Sequence, residues 1–332
     1  MKALIVTHSR DNDSVEMVSR ALEKRGAQAF RFNTDLFPTE VSIRIALDRS
    51  GETVEIETAE GTVDARELAG AWHRRIAIAS AIPSDMDKQV RFAAVEESRR
   101  VVNGMLVSLP CFVLDTWPRL RIAENKQLQL ELARAAGLDV PKTLVTNDPA
   151  AARAFWHGCK GRVVTKMMAS FAIYEEGQEK VVFTNPVTEK DLDGLDGLRF
   201  CPMTFQEVLD KSVELRVTVV GERVFTAAID SNQMERSKTD WRREGSALLS
   251  KWTKSELPQD VERGMLKVMD ALGLNYGAAD FIVTPEGRTV FLEVNPAGEF
   301  FWLERENGLP ISEAIADVLL GKAKRREAKL HS

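Results

Sequence analysis

The segment DFIVTPEGRTVFLEVNPAGEFFWLE, residues 280–304, carries two carboxylates and an amide, Asp280, Glu293 and Asn295, around a Pro-Glu-Gly turn. Alternation along FLEVN puts Glu293 and Asn295 on one face of a strand and Leu292 and Val294 on the other. On the partner strand Phe281 and Val283 join the apolar face, which leaves Asp280 on the polar one. If Glu286-Gly287 is a two-residue loop, Asp280 lies opposite Glu293, about 4.5–5.5 Å away at Cβ. A three-residue loop using Pro285 shifts the register by one and weakens the pairing. Carboxylates that close repel unless a cation sits between them. Oxygen donors without Cys or His suit Mg2+, which shares its shell with substrate phosphates. The competing reading is the solvated face of an edge hairpin.

If Mg2+ and a triphosphate bind here, cations must neutralise the phosphates and a hinge must hold the base. Lys126 in ENKQLQ, Lys166 ending RVVTKM and Arg216 in VELRVTVV occur in a suitable order. Lysine offers a point charge to phosphates, arginine a planar fork to a phosphoryl group in transfer. MTFQEVLDKSVELR adds Glu207 and Glu214, whose oxygens could accept ribose hydroxyls, and the backbone of Gln206, Glu207 and Val208 could read an adenine edge. Taken singly, each of these reads more readily as a surface charge. The ordered set is what points to a nucleotide.

The elements that must position these residues are legible in outline. Residues 2–6, 13–25 and 27–32 read as a βαβ unit, without a glycine-rich dinucleotide fingerprint. Residues 41–47 and 53–58 have hairpin spacing, and GAWHRR, 70–75, returns to the sheet. A helix spans 85–109, then a short strand CFVLD precedes a helix from 118 to about 136 that ends at Gly137. A small mixed region follows, with a helix at 148–157, strands GRVVTKM and VVFTN, and the acidic turn-rich TEKDLDGLDGL. The last region holds VELRVTVVG, RVFTAAID, a helix over 259–272, the acid-bearing hairpin and a final helix over 310–320. This is an α/β (α+β) chain in three parts, 1–117, 118–205 and 206–332.

Composition limits the alternatives. At 332 residues, 44% hydrophobic and 29% charged, the chain is an ordinary multidomain globular protein. A net charge of −5 excludes a protein built to coat nucleic acid. Cys111, Cys159 and Cys201 have no CxxC spacing, so neither a zinc site nor a disulfide framework is expected, and a reducing compartment, the cytoplasm, fits. The N-terminus lacks a signal-peptide pattern, and the longest apolar stretch, 101–114, is interrupted and falls short of a membrane span.

Across nearly its whole length the chain resembles the ATP-grasp superfamily, and within it the graspetide (microviridin-type) peptide ligases, closest to their ester-forming, lactone-closing branch. The resemblance rests on THSRDNDS, FRFNTDLFPTEV, WHRR, NKQLQLELAR, VTKMMASFAIY, LRFCPMTFQE, ELRVTVVGERVFTAAI, DWRREG, LGLNYGAADFIVTPEG and FLEVNPAGEFFWLE. It implies an ATP-grasp fold behind an N-terminal pre-ATP-grasp domain, ATP and paired Mg2+ ions as cofactors, a ribosomal precursor peptide as partner and a homodimer. It implies that Asp280, Glu293 and Asn295 hold the metal, with Glu293 bridging. Lys126 and Lys166 match the phosphate lysines, Gln206, Glu207 and Val208 the adenine hinge, and Glu214 a ribose contact.

Arg216 is the candidate for stabilising charge as an acyl phosphate forms, and Arg242 and Arg243 for holding the core carboxylate. Arg74 and Arg75 are candidates for acidic core side chains, and Asp191 and Asp193 for docking a leader helix. Ligases that add free glutamate carry an arginine pair after the strand matching RVFTAAI, where this chain continues DSNQ, which weakens the case for a free amino-acid substrate. Three alternatives stay open: an amide-forming graspetide ligase, an ATP-grasp ligase joining a small amine or amino acid, and a nucleotide binder without turnover. Trp302 in EFFWLE reads as core rather than as an active-site wall.

Overall fold

The computed structural model describes residues 1–49, 51–166, 172–175, 178–181, 184–230 and 249–326. Arg242 and Arg243 lie outside the described residues, as do parts of VTKMMASFAIY and the end of the basic tail.

The N-terminal unit is built on β1 (Lys2–Thr7), an apolar strand buried after its first residue. The α1 helix (Asp13–Glu23) is capped by the Asn12 side chain, which accepts the Ser14 N–H. It is followed by β2 (Gln28–Asn33), parallel to β1. The expected hairpin is a three-stranded antiparallel sheet of β3 (Ser42–Asp48), β4 (Gly51–Thr58) and β5 (Gly61–Asp64). The GAWHRR segment does return, as β6 (Leu68–His73) beside β1. After α2 (Lys88–Ser108), β7 (Phe112–Leu114) completes a parallel sheet in the order β2-β1-β6-β7.

The helix expected from 118 to 136 is two helices, α3 (Trp117–Ala123) and α4 (Lys126–Ala135). The break falls at Asn125, whose side chain accepts the Leu128 N–H and starts a new helix. The central unit contains β8 (Thr143–Thr146), α5 (Pro149–Gly158), β9 (Val163–Lys166), β10 (Ala172–Glu175), β11 (Gln178–Val181), β12 (Asn185–Pro186) and β13 (Met203–Glu207). Its antiparallel sheet runs β12-β9-β13-β8, and β10 pairs with β11. The acidic segment is a 3-10 stretch, Glu189–Arg199. The expected division at 205/206 falls inside β13, whose Gln206 and Glu207 still pair with β9.

The C-terminal sheet is antiparallel, β16-β15-β14-β17-β18. Its strands are β14 (Val213–Val220), β15 (Arg223–Ile229), β16 (Thr253–Ser255), β17 (Tyr276–Val283) and β18 (Thr289–Asn295). Helix α6 (Gln259–Leu272) packs on one face with α3 and α4, around Met265, Val268, Leu215 and Phe291. The last helices, α7 (Phe301–Asn307) and α8 (Ile311–Leu319), return to the first unit. Phe300, Trp302, Leu303 and Ile315 share one core with Ile5, Val18 and Leu22, so EFFWLE is core, as read for Trp302. Buried Asp115 adds a second tie: it accepts the backbone N–H groups of Asn275 and Tyr276 and the Asn275 amide. Among the described residues no helix is long and apolar enough to cross a membrane.

Candidate active site

The hairpin reaches the expected pairing by an unexpected route. Thr284 and Gly287 close a three-residue loop at 285–287, with the Thr284 N–H bonded to the Arg288 carbonyl and the Gly287 N–H to that of Thr284. Gly287 sits at φ +84°, which is why a glycine closes the turn. The register near the loop is therefore shifted by one, Phe281 opposite Phe291. A bulge at Leu292 undoes the shift, so Asp280 lies opposite Glu293 and Ala278 opposite Asn295. The same bulge corrects the expected faces: Leu292 lines a cavity together with Glu293, while Phe291 and Val294 enter the core.

Each carboxylate has its own cation. Arg216 faces Asp280 across the β14/β17 ladder and donates through Nη1 to Oδ1 at 2.8 Å. Lys126 Nζ lies 2.8 Å from Glu293 Oε2. Two facing acids thereby become two ion pairs, which removes the repulsion that their pairing alone implies. Arg216 is 6% exposed, stands over the Trp302 ring at 5.8 Å, and its Nη2 donates to the Glu299 carbonyl at 3.3 Å.

Lys126 owes its place to the break at Asn125 and to Gln129 one turn on. Buried Gln129 donates to the Ala123 and Val294 carbonyls and accepts the Val294 N–H, fastening α4 to the strand that carries Glu293. Sequence reading passed over it. Its signal was a polar residue in the buried stripe that continues to Ala133.

Beside the acids lies a cavity of about 270 Å³. Lys126, Lys166, Gln206 and Glu293 line it together, with Leu130, Val145 and Leu292 as apolar walls. The Gln206 amide is held by Thr143 Oγ1 at 3.0 Å. Glu207 and Val208 are not among the lining residues. The Glu207 carboxylate accepts the Lys142 N–H at 2.8 Å, and the N–H groups of Glu207 and Val208 donate to the Lys142 and Arg162 carbonyls. Buried Glu214 pairs with Lys211 at 2.6 Å, apart from that lining.

The peptide-binding candidates divide. Arg74, expected to meet acidic core side chains, is 2% exposed, stacked over Trp72 and bonded to the turn after β18, and with Arg75 it lines a cavity of about 490 Å³. Arg75 keeps 40% of its side chain exposed and pairs with Glu299 at 2.6 Å. Asp191 closes a capping box, accepting the Thr188 N–H and hydroxyl, and these bonds hold its carboxyl below the usual range. Asp193 is exposed on the same 3-10 segment. The segment borders a groove of about 690 Å³ walled by Leu195, Leu198, Met203 and Phe205.

Three buried groups at the junction are shifted by burial: His73 falls to about 4, Asp115 rises to about 6 and Tyr276 to about 12. The Tyr276 hydroxyl donates to the Gly298 carbonyl at 2.6 Å, supporting the turn after β18. Asn295 starts that turn, its Oδ1 accepting the Ala297 N–H at 2.9 Å. Asp280, Glu293 and Asn295 offer only hard oxygen donors on neighbouring strand positions, a set that fits Mg2+. The adjoining cavity, with lysines and apolar walls, fits a nucleotide whose phosphates meet that metal.

Comparison with known proteins agrees. A family profile described as the MvdD pre-ATP grasp domain matches residues 2–121. The macrocyclase MdnC of Microcystis aeruginosa MRC, solved with its precursor peptide MdnA, is 44% identical over 97% of this chain and 100% of its own, with a TM-score of 0.88. A RiPP-associated ATP-grasp ligase of Chryseobacterium gregarium, solved with ADP and a leader and core peptide, is 41% identical over 99% of both chains, with a TM-score of 0.94. The macrocyclase MdnB of Microcystis aeruginosa MRC is 37% identical over 95% of this chain and 98% of its own, with a TM-score of 0.80. No curated protein matches the chain. On identity, coverage and fold together, the chain belongs to the graspetide family of ATP-grasp peptide ligases.

Proposed function

We propose that this protein uses ATP to activate Asp or Glu side chains of a ribosomally made precursor peptide and closes ω-ester rings with its Thr or Ser hydroxyls. The observation that carries the reading is the facing pair Asp280 and Glu293, paired with Arg216 and Lys126, beside a cavity carrying Lys126 and Lys166. The substrate class comes from the relatives solved with precursor, leader or core peptides.

A core carboxylate oxygen attacks the γ-phosphorus, the bond to the bridging oxygen breaks, and ADP leaves. The hydroxyl oxygen then attacks the acyl carbon, phosphate leaves, and the hydroxyl proton is lost. Asp280, Glu293 and Asn295 would hold Mg2+, as a pair of ions, which would supply charge screening between carboxylate and triphosphate. Lys126 and Lys166 neutralise phosphate, and Gln206 begins the hinge toward adenine. Glu207 or Glu214 reaches ribose only by exchanging its present Lys142 or Lys211 partner.

Buried Arg216 stabilises the charge that develops on the transferring phosphoryl group. Arg242 and Arg243, and Arg75 at its exposed tip, hold acidic core side chains. Asp193 and the groove under the 3-10 segment take the leader, an amphipathic helix laid in an apolar groove. The acting form is a cytoplasmic homodimer. The ester assignment rests on the sequence resemblance to the lactone-closing branch, and the absence from this chain of the arginine pair of amino-acid-adding ligases speaks against a free amino-acid substrate.

ADP and phosphate release, followed with MdnA as the peptide, tests the reading. Release that requires the peptide, and stops in Arg216→Lys, is expected. Release indifferent to peptide but stimulated by a free amino acid would move the chain to the small-substrate ligases.

A further inference from the structure

We infer that Arg74, on the N-terminal unit, is a positioning residue for Arg216, acting through the turn that follows the acid-bearing strand. The inference rests on the proposed role of Arg216 and assigns a task to the first unit that fold alone does not.

The turn at 296–299 has no regular secondary structure of its own, so its conformation depends on what grips it. Arg74 grips it at successive residues. Its Nη1 donates to the Ala297 carbonyl at 2.7 Å and reaches that of Gly298 at 3.4 Å, and its Nη2 bonds the Glu299 carboxylate at 2.5 Å. The Ser14 hydroxyl, also from the first unit, donates to the same carboxylate at 3.2 Å. The Tyr276 hydroxyl donates to the same Gly298 carbonyl.

The turn in turn holds Arg216, whose Nη2 donates to the Glu299 carbonyl while Nη1 donates to Asp280. The fork of Arg216 is therefore oriented at one end by a candidate metal ligand and at the other by the backbone carbonyl of Glu299, the residue whose carboxylate Arg74 holds. There is no slack in between. A Cβ on Gly298 would come within 2.4 Å of the Ala278 Cβ and 3.1 Å of Arg216 Nη2. A turn that shifts toward the sheet meets Ala278 and the Arg216 guanidinium. Arg74 can serve this way because it is a planar donor fork, its side chain 1% exposed and stacked over Trp72, where its bonds meet little competition from solvent.

The test uses the full-length protein with Arg74→Met, Arg74→Lys, Glu299→Gln, Arg216→Lys and the Arg74→Met/Arg216→Lys double variant. ADP release with MdnA gives kcat and the ATP KM, and hydrogen exchange of the 297–300 amides reports on the turn without any peptide. Expected for Arg74→Met is a fall in kcat of about 10²-fold, the scale of an ångström of misplacement, with the ATP KM unchanged and faster exchange at 297–300. Arg74→Lys recovers part of the loss, since an ammonium can satisfy only part of the fork's contacts. The double variant is no slower than Arg216→Lys alone, as for residues acting in series.

Glu299→Gln removes the carboxylate charge that Arg74 shares with Arg75 while keeping its shape and leaving Asp11 beside Arg74, and serves where Arg74→Met does not fold. Exchange at 297–300 unchanged in both variants, kcat and KM damaged in parallel, or losses that add in the double variant would overturn the inference while leaving the role of Arg216 standing. Full turnover by Arg216→Lys would overturn both.

Discussion

Replacing Lys126 by Met should move two affinities in opposite directions. Its ammonium sits 2.8 Å from Glu293, with side-chain exposures of 34% and 14%. At an effective dielectric of about 20, charges about 4 Å apart interact by about 4 kcal/mol. Exposure of the lysine reduces this to about 1 kcal/mol. A divalent ion alone must displace that lysine to reach Glu293. Removing it should therefore tighten metal-only binding about fivefold. The lysine is also a phosphate cation, and a charge-assisted bond lost there costs about 1.5–3 kcal/mol, or about tenfold and more in affinity for ATP with Mg2+. Mn2+ titration followed by electron paramagnetic resonance, with and without ATP, reads both effects on one protein. Unchanged metal-only binding together with unchanged ATP binding would refute the shared position of Lys126.

Gln129→Leu strands the Val294 N–H and the Val294 and Ala123 carbonyls, at about 1–3 kcal/mol for each group left unpaired. Thermal melting should fall and ATP affinity with it, because α4 then carries Lys126 away from Glu293. Gly298→Ala should fold but lose turnover, since its methyl meets Ala278 and crowds Arg216, and an activity assay beside a melting curve checks this. His73 stays neutral in the folded protein down to about pH 4 against an ordinary value of 6.5. Its unfolded form therefore binds the proton first, and stability present above about pH 6.5 is lost as pH falls toward about 4, by about 3 kcal/mol. Asp115, raised to about 6 by burial, acts in the opposite sense, gaining stability as pH falls from about 6 to 4. Denaturant unfolding of His73→Gln should show a shallower acid loss than the parent protein.

The fold was legible where pattern follows burial. Helix α6 carries the periodicity of one packed face, and β1 and β6 the near-continuous burial of strands covered on both faces. Distances along the chain were less informative. The pairing of Asp280 with Glu293 was reached from the wrong loop, since a one-residue shift at the turn and a one-residue bulge at Leu292 cancel, and neither marks a sequence by itself. The break between α3 and α4 was hidden because Asn125 lies within an otherwise helical pattern, although asparagine is a good cap.

Charges were visible, but their partners were not. Arg74 and Arg75 are neighbours in WHRR, yet one is buried over Trp72 and the other reaches solvent. Glu299, which binds both, lies more than two hundred residues away. Gln129 is unremarkable until Val294 is seen beside it. Long-range pairing of this kind is set by tertiary contact, which a single sequence does not carry.

The most direct measurement is intact-mass spectrometry of MdnA after incubation with the protein, ATP and Mg2+, beside an Asp280→Asn/Glu293→Gln variant. The account predicts loss of one water per ring with the parent protein only, restored by mild alkali as esters require. Water loss that survives alkali would contradict ester closure in favour of amides, and equal loss with the double variant would contradict the site itself.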